Sequence, residues 1–230
     1  MSNLVDMTLL FGELGESDCE EIGDGILQQP VNALSSGAYT VFGLWLIWRA
    51  LRQSGSDKPV EIFYGLALAG VGVGSIAFHG PVPPGARLLH DLTIAAVLAV
   101  IAARNLGVLA KWGRKRVMGS ALATIVVVGA VMALAPDLGN ALTGVVGVAA
   151  VVTEVIVYRA GHRRFSRRLA RLLSAIVLLL AFAGIINVLG RTGGPICDPD
   201  SYFQGHAVWH LLTAAAFMVY GYAAFSPASD

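Results

Sequence analysis

The sequence predicts an all-α integral membrane protein, a bundle of seven transmembrane helices with its N-terminus extracytoplasmic and its C-terminus cytoplasmic. Three observations carry this expectation. Hydrophobic residues fill 56% of the 230 positions, charged residues only 13%, and mean hydropathy is +0.69, too apolar for an ordinary soluble domain. Seven runs stay apolar for about the 20 residues that a helix needs to cross the hydrocarbon layer. The cationic residues fall almost wholly on alternate connections, as the retention of Lys and Arg on the cytoplasmic side requires.

Residues 1–33 precede the first span and form an extracytoplasmic N-terminal segment. Met1 to Gly15 lacks a positive n-region and carries Asp6 and Glu13, so it does not read as a cleaved signal peptide. Leu4, Met7, Leu10 and Phe11 share one helical face, the pattern of a short interfacial helix. The spans are expected at 34–52, 60–79, 88–106, 118–135, 139–158, 170–190 and 206–225, making 34–225 the transmembrane domain and 226–230 a cytoplasmic tail. Turn and breaker residues separate them, among them Pro81-Val82-Pro83-Pro84-Gly85, Pro136-Asp137 and Gly193-Gly194-Pro195.

The first, third and fifth connections hold three, five and six cationic residues, fourteen of the sixteen in the chain; only Arg87 and Arg191 lie on the other side. That split sets the orientation and explains the basic loops without invoking nucleic acid, for which the chain carries no binding signature. Thirteen of those sixteen are Arg, and Ala, Val and Gly abound, a bias that suggests a GC-rich bacterial source and hence a bacterial inner membrane. Gly65, Gly70, Gly72 and Gly74 are expected to let the second span pack closely on its neighbours. Glu154, beside Arg159, is expected to snorkel toward the cytoplasmic surface.

This topology decides where the histidines meet. His206 and His210 are four apart at the start of the last span, so both rings lie on one helix face. Ser75 and His79 end the second span, and His90 and Asp91 open the third. All six polar side chains therefore converge just under the extracytoplasmic surface, at a depth where ionisable groups are costly and are usually functional. Three histidines plus a water make the open tetrahedral arrangement of a catalytic zinc, whereas magnesium and calcium prefer oxygen. Ser75, one turn from His79, is placed to stabilise an oxyanion, with a hydrogen bond to its own helix as the alternative. Asp91 is the nearby acid that can carry a proton to a leaving amine; alternatively it pairs with Arg87. His90 lies about 100° round the helix from Asp91 and suits a supporting or interfacial role. Cys19 and Cys197 both map to the extracytoplasmic side, where one disulfide can form and persist, the alternative being two free thiols.

With these residues in hand, the chain resembles the alkaline ceramidase family, part of a superfamily of seven-span metal-dependent hydrolases that includes the progestin and adiponectin receptors. The resemblance rests on Cys19-Glu20, Pro30 and Asn32 with Ser35 or Ser36, Ser75-x-x-Phe78-His79, Asp91, and His206-x-x-Trp209-His210. It implies a zinc amidase that cleaves an N-acylated sphingoid base, a ceramide-like membrane lipid, into a fatty acid and a sphingoid amine. It further implies that His79, His206 and His210 hold zinc, that Ser75 steadies the oxyanion, that Asp91 shuttles the proton, and that Cys19 and Cys197 are bridged. Eukaryotic members also carry a calcium site in the N-terminal segment, which Asp18, Glu20 and Asp24 echo. Here the segment is a couple of residues shorter and Gln29 stands where an acid is expected, so the alternative is a solvated acidic segment. Two other functional readings remain open: hydrolysis of another N-acyl or ester lipid, and a non-enzymatic seven-span sensor with a structural zinc.

Overall fold

Every stretch that reads as a membrane span is helical in the computed structural model, which describes residues 17–55, 57–162 and 167–225. Among them are seven α-helices: α1 Pro30–Arg52, α2 Lys58–His79, α3 Ala86–Leu109, α4 Arg114–Leu134, α5 Gly139–Arg159, α6 Arg167–Leu189 and α7 Gly205–Phe225. A 3₁₀ turn, Pro136–Leu138, joins α4 to α5. The interfacial face of Leu4, Met7, Leu10 and Phe11, and the tail 226–230, lie outside the described residues.

The helix ends follow local chemistry. Pro30 opens α1, where its missing N–H costs nothing. The Glu20 carboxylate reaches back to cap that helix, accepting from the N–H of Val31 at 2.6 Å and of Asn32 at 2.8 Å. This is why α1 begins four residues before the apolar run does. Gly85, at φ +83°, supplies the left-handed turn that starts α3 after Pro83-Pro84.

Packing runs from α4 and α5 onto α3, then through α2 and α1 to α7, with α6 on the far side of α7. Its centre is a dry cluster containing Leu46, Tyr64, Leu68, Val97 and Val100, all fully buried. The glycines of α2 permit this closeness, as expected. A Cβ on Gly65 would sit 2.9 Å from the carbonyl oxygen of Gly43 in α1, and one on Gly74 at 2.9 Å from that of Leu89 in α3. Toward the outside, α4, α5 and α6 expose Val126, Val127, Val145, Val148, Leu178 and Ile185, the apolar surface a bilayer would cover.

Five helices, α2, α3, α4, α5 with its preceding turn, and α7, are long and apolar enough to cross a membrane, and Leu173–Leu189 of α6 is a shorter apolar stretch. The remaining helix, α1, has the length but is interrupted by polar groups. Asn32 and Ser36 are fully buried on it, and Arg49, inside the expected span 34–52 but counted with the cations of the first connection, is buried inside the bundle. Arg49 pairs with Glu61 at 2.7 Å, donates to the Tyr222 carbonyl and lies over the Tyr222 ring. A buried ion pair of this kind needs such extra partners to offset desolvation.

Candidate metal centre

The end of α2, the start of α1 and the start of α7 close on one another, and the polar side chains of that corner meet there. His79 is contributed by the last residue of α2, and His206 and His210 by successive turns of α7. Their ring centroids are 5.0 Å (His79–His206), 5.2 Å (His79–His210) and 4.3 Å (His206–His210) apart. Their ligand-type nitrogens all fall within 4.8 Å of one another, and among the described residues this is the one group of three or more histidines, cysteines or acids that does so.

Each ring is oriented from behind. His79 Nδ1 donates to Gln29 Oε1 at 2.7 Å, His206 Nδ1 to Asn187 Oδ1 at 3.0 Å, and His210 Nδ1 meets the hydroxyls of Ser35 and Ser36 at 3.0 and 3.1 Å. When Nδ1 carries the proton, Nε2 presents a lone pair. His79 Nε2 and His206 Nε2 are both buried without a hydrogen-bond partner. Bare acceptors facing one another in a dry site are costly unless a group between them takes their lone pairs. Three neutral imidazoles, each held through its other nitrogen, fit a divalent cation of the zinc type.

Ser75 lies one turn below His79, 1% exposed, with its hydroxyl 3.5 Å from His210 Nε2 and 2.8 Å from Ser36 Oγ. Ser36 thus touches both the serine and the histidine. Asp91 is not part of the three-histidine group. Its Oδ1 accepts from His90 Nδ1 at 2.9 Å, while a Cβ on Gly139 would lie 2.9 Å from its Oδ2. His90 stacks on Phe78 and stands edge-on to His79 with centroids 6.1 Å apart. Asp91 therefore reaches the cluster by way of His90, which stands closer to the histidines than its helix position suggests.

The N-terminal segment straps this corner. Cys19 and Cys197 form a disulfide, with Cα atoms 5.6 Å apart. Around it Cys19 N–H donates to Thr192 Oγ1 and Glu21 N–H to the Pro199 carbonyl. The strap also reaches the site: Gln29 Nε2 donates to the Glu20 carbonyl while Gln29 N–H donates to the His79 carbonyl. Asp18, Glu20 and Asp24 are not brought to one point. Asp18 Oδ1 faces His206 Nδ1 at 3.7 Å, both Glu20 oxygens are taken by α1, and Asp24 is exposed. Burial pushes the Glu20 carboxyl upward from its usual range, and the N–H groups of Val31 and Asn32 pull it back.

Beside the site, between α5 and α6, lies an apolar cavity of about 710 Å³. Tyr39, Trp209 and Thr213 line the end nearest the histidines, and the Tyr39 ring is edge-on to His210 at 6.0 Å. The supporting role of Asn187 escaped the sequence reading, which met Gln29 only as a departure from the calcium-site pattern. Asn187 did leave a signal, a lone amide near the end of the long apolar run of α6.

These features define a class: a membrane-embedded helical bundle with a buried three-histidine centre opening beside an apolar cavity. A family model described as Ceramidase matches residues 27–226, and the chain belongs to that family. Membership makes it a ceramidase-like hydrolase and implies a lipid amide as substrate. No individual curated protein matches the chain.

Proposed function

We propose that the protein is a zinc-dependent intramembrane amidase that hydrolyses a ceramide-like N-acyl sphingoid lipid to a fatty acid and a sphingoid amine. The observation that carries this reading is the set of three imidazoles, each held through Nδ1, with Nε2 of His79 and His206 unpartnered and Nε2 of His210 facing the Ser75 hydroxyl, beside an apolar cavity.

His79, His206 and His210 would hold the metal, which when bound lowers the pKa of water toward neutrality and polarises a carbonyl. Gln29, Asn187 and the two serines of α1 keep the imidazoles in the ligating tautomer. Ser75 donates its hydroxyl proton as a hydrogen bond to the amide carbonyl oxygen as negative charge builds there, while Ser36 holds the Ser75 oxygen in place. Asp91 acts through His90, which stands between it and the histidines: the hydrogen-bonded pair takes a proton from the attacking water and returns it to the departing nitrogen. The cavity takes a hydrocarbon chain, and its apolar walls keep bulk water from the reacting carbonyl. The distribution of cationic residues supports an extracytoplasmic position for this corner.

Purified protein is expected to contain about one zinc per chain, by the ligand count of a single three-histidine site, and to release sphingoid amine from an N-acyl sphingoid lipid. His206→Ala is expected to lose both. Retention of metal and activity in that variant ends the assignment, and full zinc occupancy without turnover of amide or ester lipids favours a structural metal in a sensor.

A further inference from the structure

Glu154 does not snorkel. It turns inward from α5, lines the apolar cavity, and its Oε2 accepts a hydrogen bond from the Tyr220 hydroxyl of α7 at 2.7 Å. The physical reason is supply: a carboxyl more than a turn inside a membrane helix is costly alone, and Tyr220 offers it a donor at its own depth. The pair also has a definite place along the cavity. Tyr220 follows His210 by ten residues on the same helix, about 15 Å along its axis. The cavity thus starts at Tyr39, Trp209 and Thr213 beside the candidate metal centre and reaches Glu154, Tyr158 and Tyr220 at the opposite end.

We infer that the Glu154–Tyr220 hydrogen bond is the floor of this cavity and sets the longest hydrocarbon chain that the protein accepts. The inference rests on the proposed lipid substrate and deepens it: the preferred substrate is the one whose chain fills the cavity and stops at the pair. A chain of that length or shorter leaves the bond intact. A longer one has to part the Tyr220 hydroxyl from Glu154 and press methylene groups against a carboxyl, which forfeits that hydrogen bond. The bond joins α5 to α7 across the cavity they both line.

The test uses the full-length protein with zinc and a homologous series of sphingoid amides carrying saturated acyl chains from octanoyl to tetracosanoyl. Turnover is read as kcat/KM for each, and binding of the matching free fatty acids is read separately by displacement of a fluorescent fatty acid. The wild type is expected to lose roughly tenfold or more in kcat/KM within two carbons of a cut-off length, the scale on which a closed pocket rejects an extra methylene. Glu154→Ala is expected to move that cut-off to longer chains in both readouts, by about two carbons or more. Glu154→Gln, which still accepts from Tyr220, is expected to keep the wild-type cut-off. Should Glu154→Ala not purify as a monodisperse protein, Tyr220→Phe removes the same bond and is expected to relax the cut-off. An unchanged cut-off in a folded variant that lacks the bond overturns the inference but leaves the amidase reading standing. Failure of the wild type to cleave any member of the series overturns the amidase reading, while the fatty-acid displacement profile still decides the floor; absence of any chain binding overturns the floor as well.

Discussion

If the three histidines hold zinc as proposed, replacing Gln29 with leucine should weaken its binding without unfolding the corner around them. The amide is 2% exposed and makes two separable contacts, Oε1 accepting from His79 Nδ1 at 2.7 Å and Nε2 donating to the Glu20 carbonyl at 3.0 Å. Leucine fills a similar volume but removes both, so His79 Nδ1–H is left buried without an acceptor, at a cost of about 1–3 kcal/mol. The ring can then turn or change tautomer, which takes the Nε2 lone pair away from the other two histidines. Loss of such a supporting partner weakens metal binding about 10–100-fold, equivalent to about 1.4–2.8 kcal/mol, the same range as the unpaired donor. The main-chain bond from Gln29 N–H to the His79 carbonyl, at 2.8 Å, survives the substitution and keeps the strap in register. Competition with a chromophoric zinc chelator measures the effect, and Gln29→Glu, which still accepts from Nδ1, should restore binding. A zinc affinity for Gln29→Leu within about twofold of wild type would refute the argument that the ring is held from behind.

Two further outcomes follow from the geometry. Ser75→Ala should lower kcat by about 10²–10³, with zinc content and KM nearly unchanged, and a matching fall in zinc content would mean that the hydroxyl serves the histidines instead. Glu61→Ala removes the carboxylate that neutralises the Arg49 guanidinium, whose side chain is only 7% exposed, and should cost about 3–5 kcal/mol in thermal or denaturant unfolding; the double change Arg49→Leu with Glu61→Leu should recover most of it.

The spans and the histidine cluster were legible because both obey short rules. Apolar length marks a membrane helix, and His206 and His210 share a face by spacing alone, while alternating topology carries His79 to the same end. What escaped was set by partners distant in the chain. The start of α1 at Pro30 depends on a cap from Glu20, ten residues upstream, and Gln29 acquires its role only when α2 brings His79 against it. Acids were visible in the N-terminal segment, but their company was not: Glu20 is taken by a helix end and Asp18 faces His206. Glu154 shows the same limit in reverse, since its spacing from Arg159 pointed outward and only the depth of Tyr220 on another helix turned it in. Asp91 kept its place at the mouth of α3, but the sequence did not reveal that His90 stands between it and the cluster.

The disulfide and the strap give this centre a history in synthesis. Cys19 and Cys197 are separated by 178 residues, and two of the three imidazoles lie in α7, translated after the other six described helices. A nascent chain that has inserted everything through α6 possesses His79 and its glutamine but no site, and its first cysteine waits for a partner not yet translated. Closure of the disulfide therefore waits for Cys197, capture of a metal by all three histidines would wait for α7, and a chain interrupted before Gly205 would lack two of the three imidazoles.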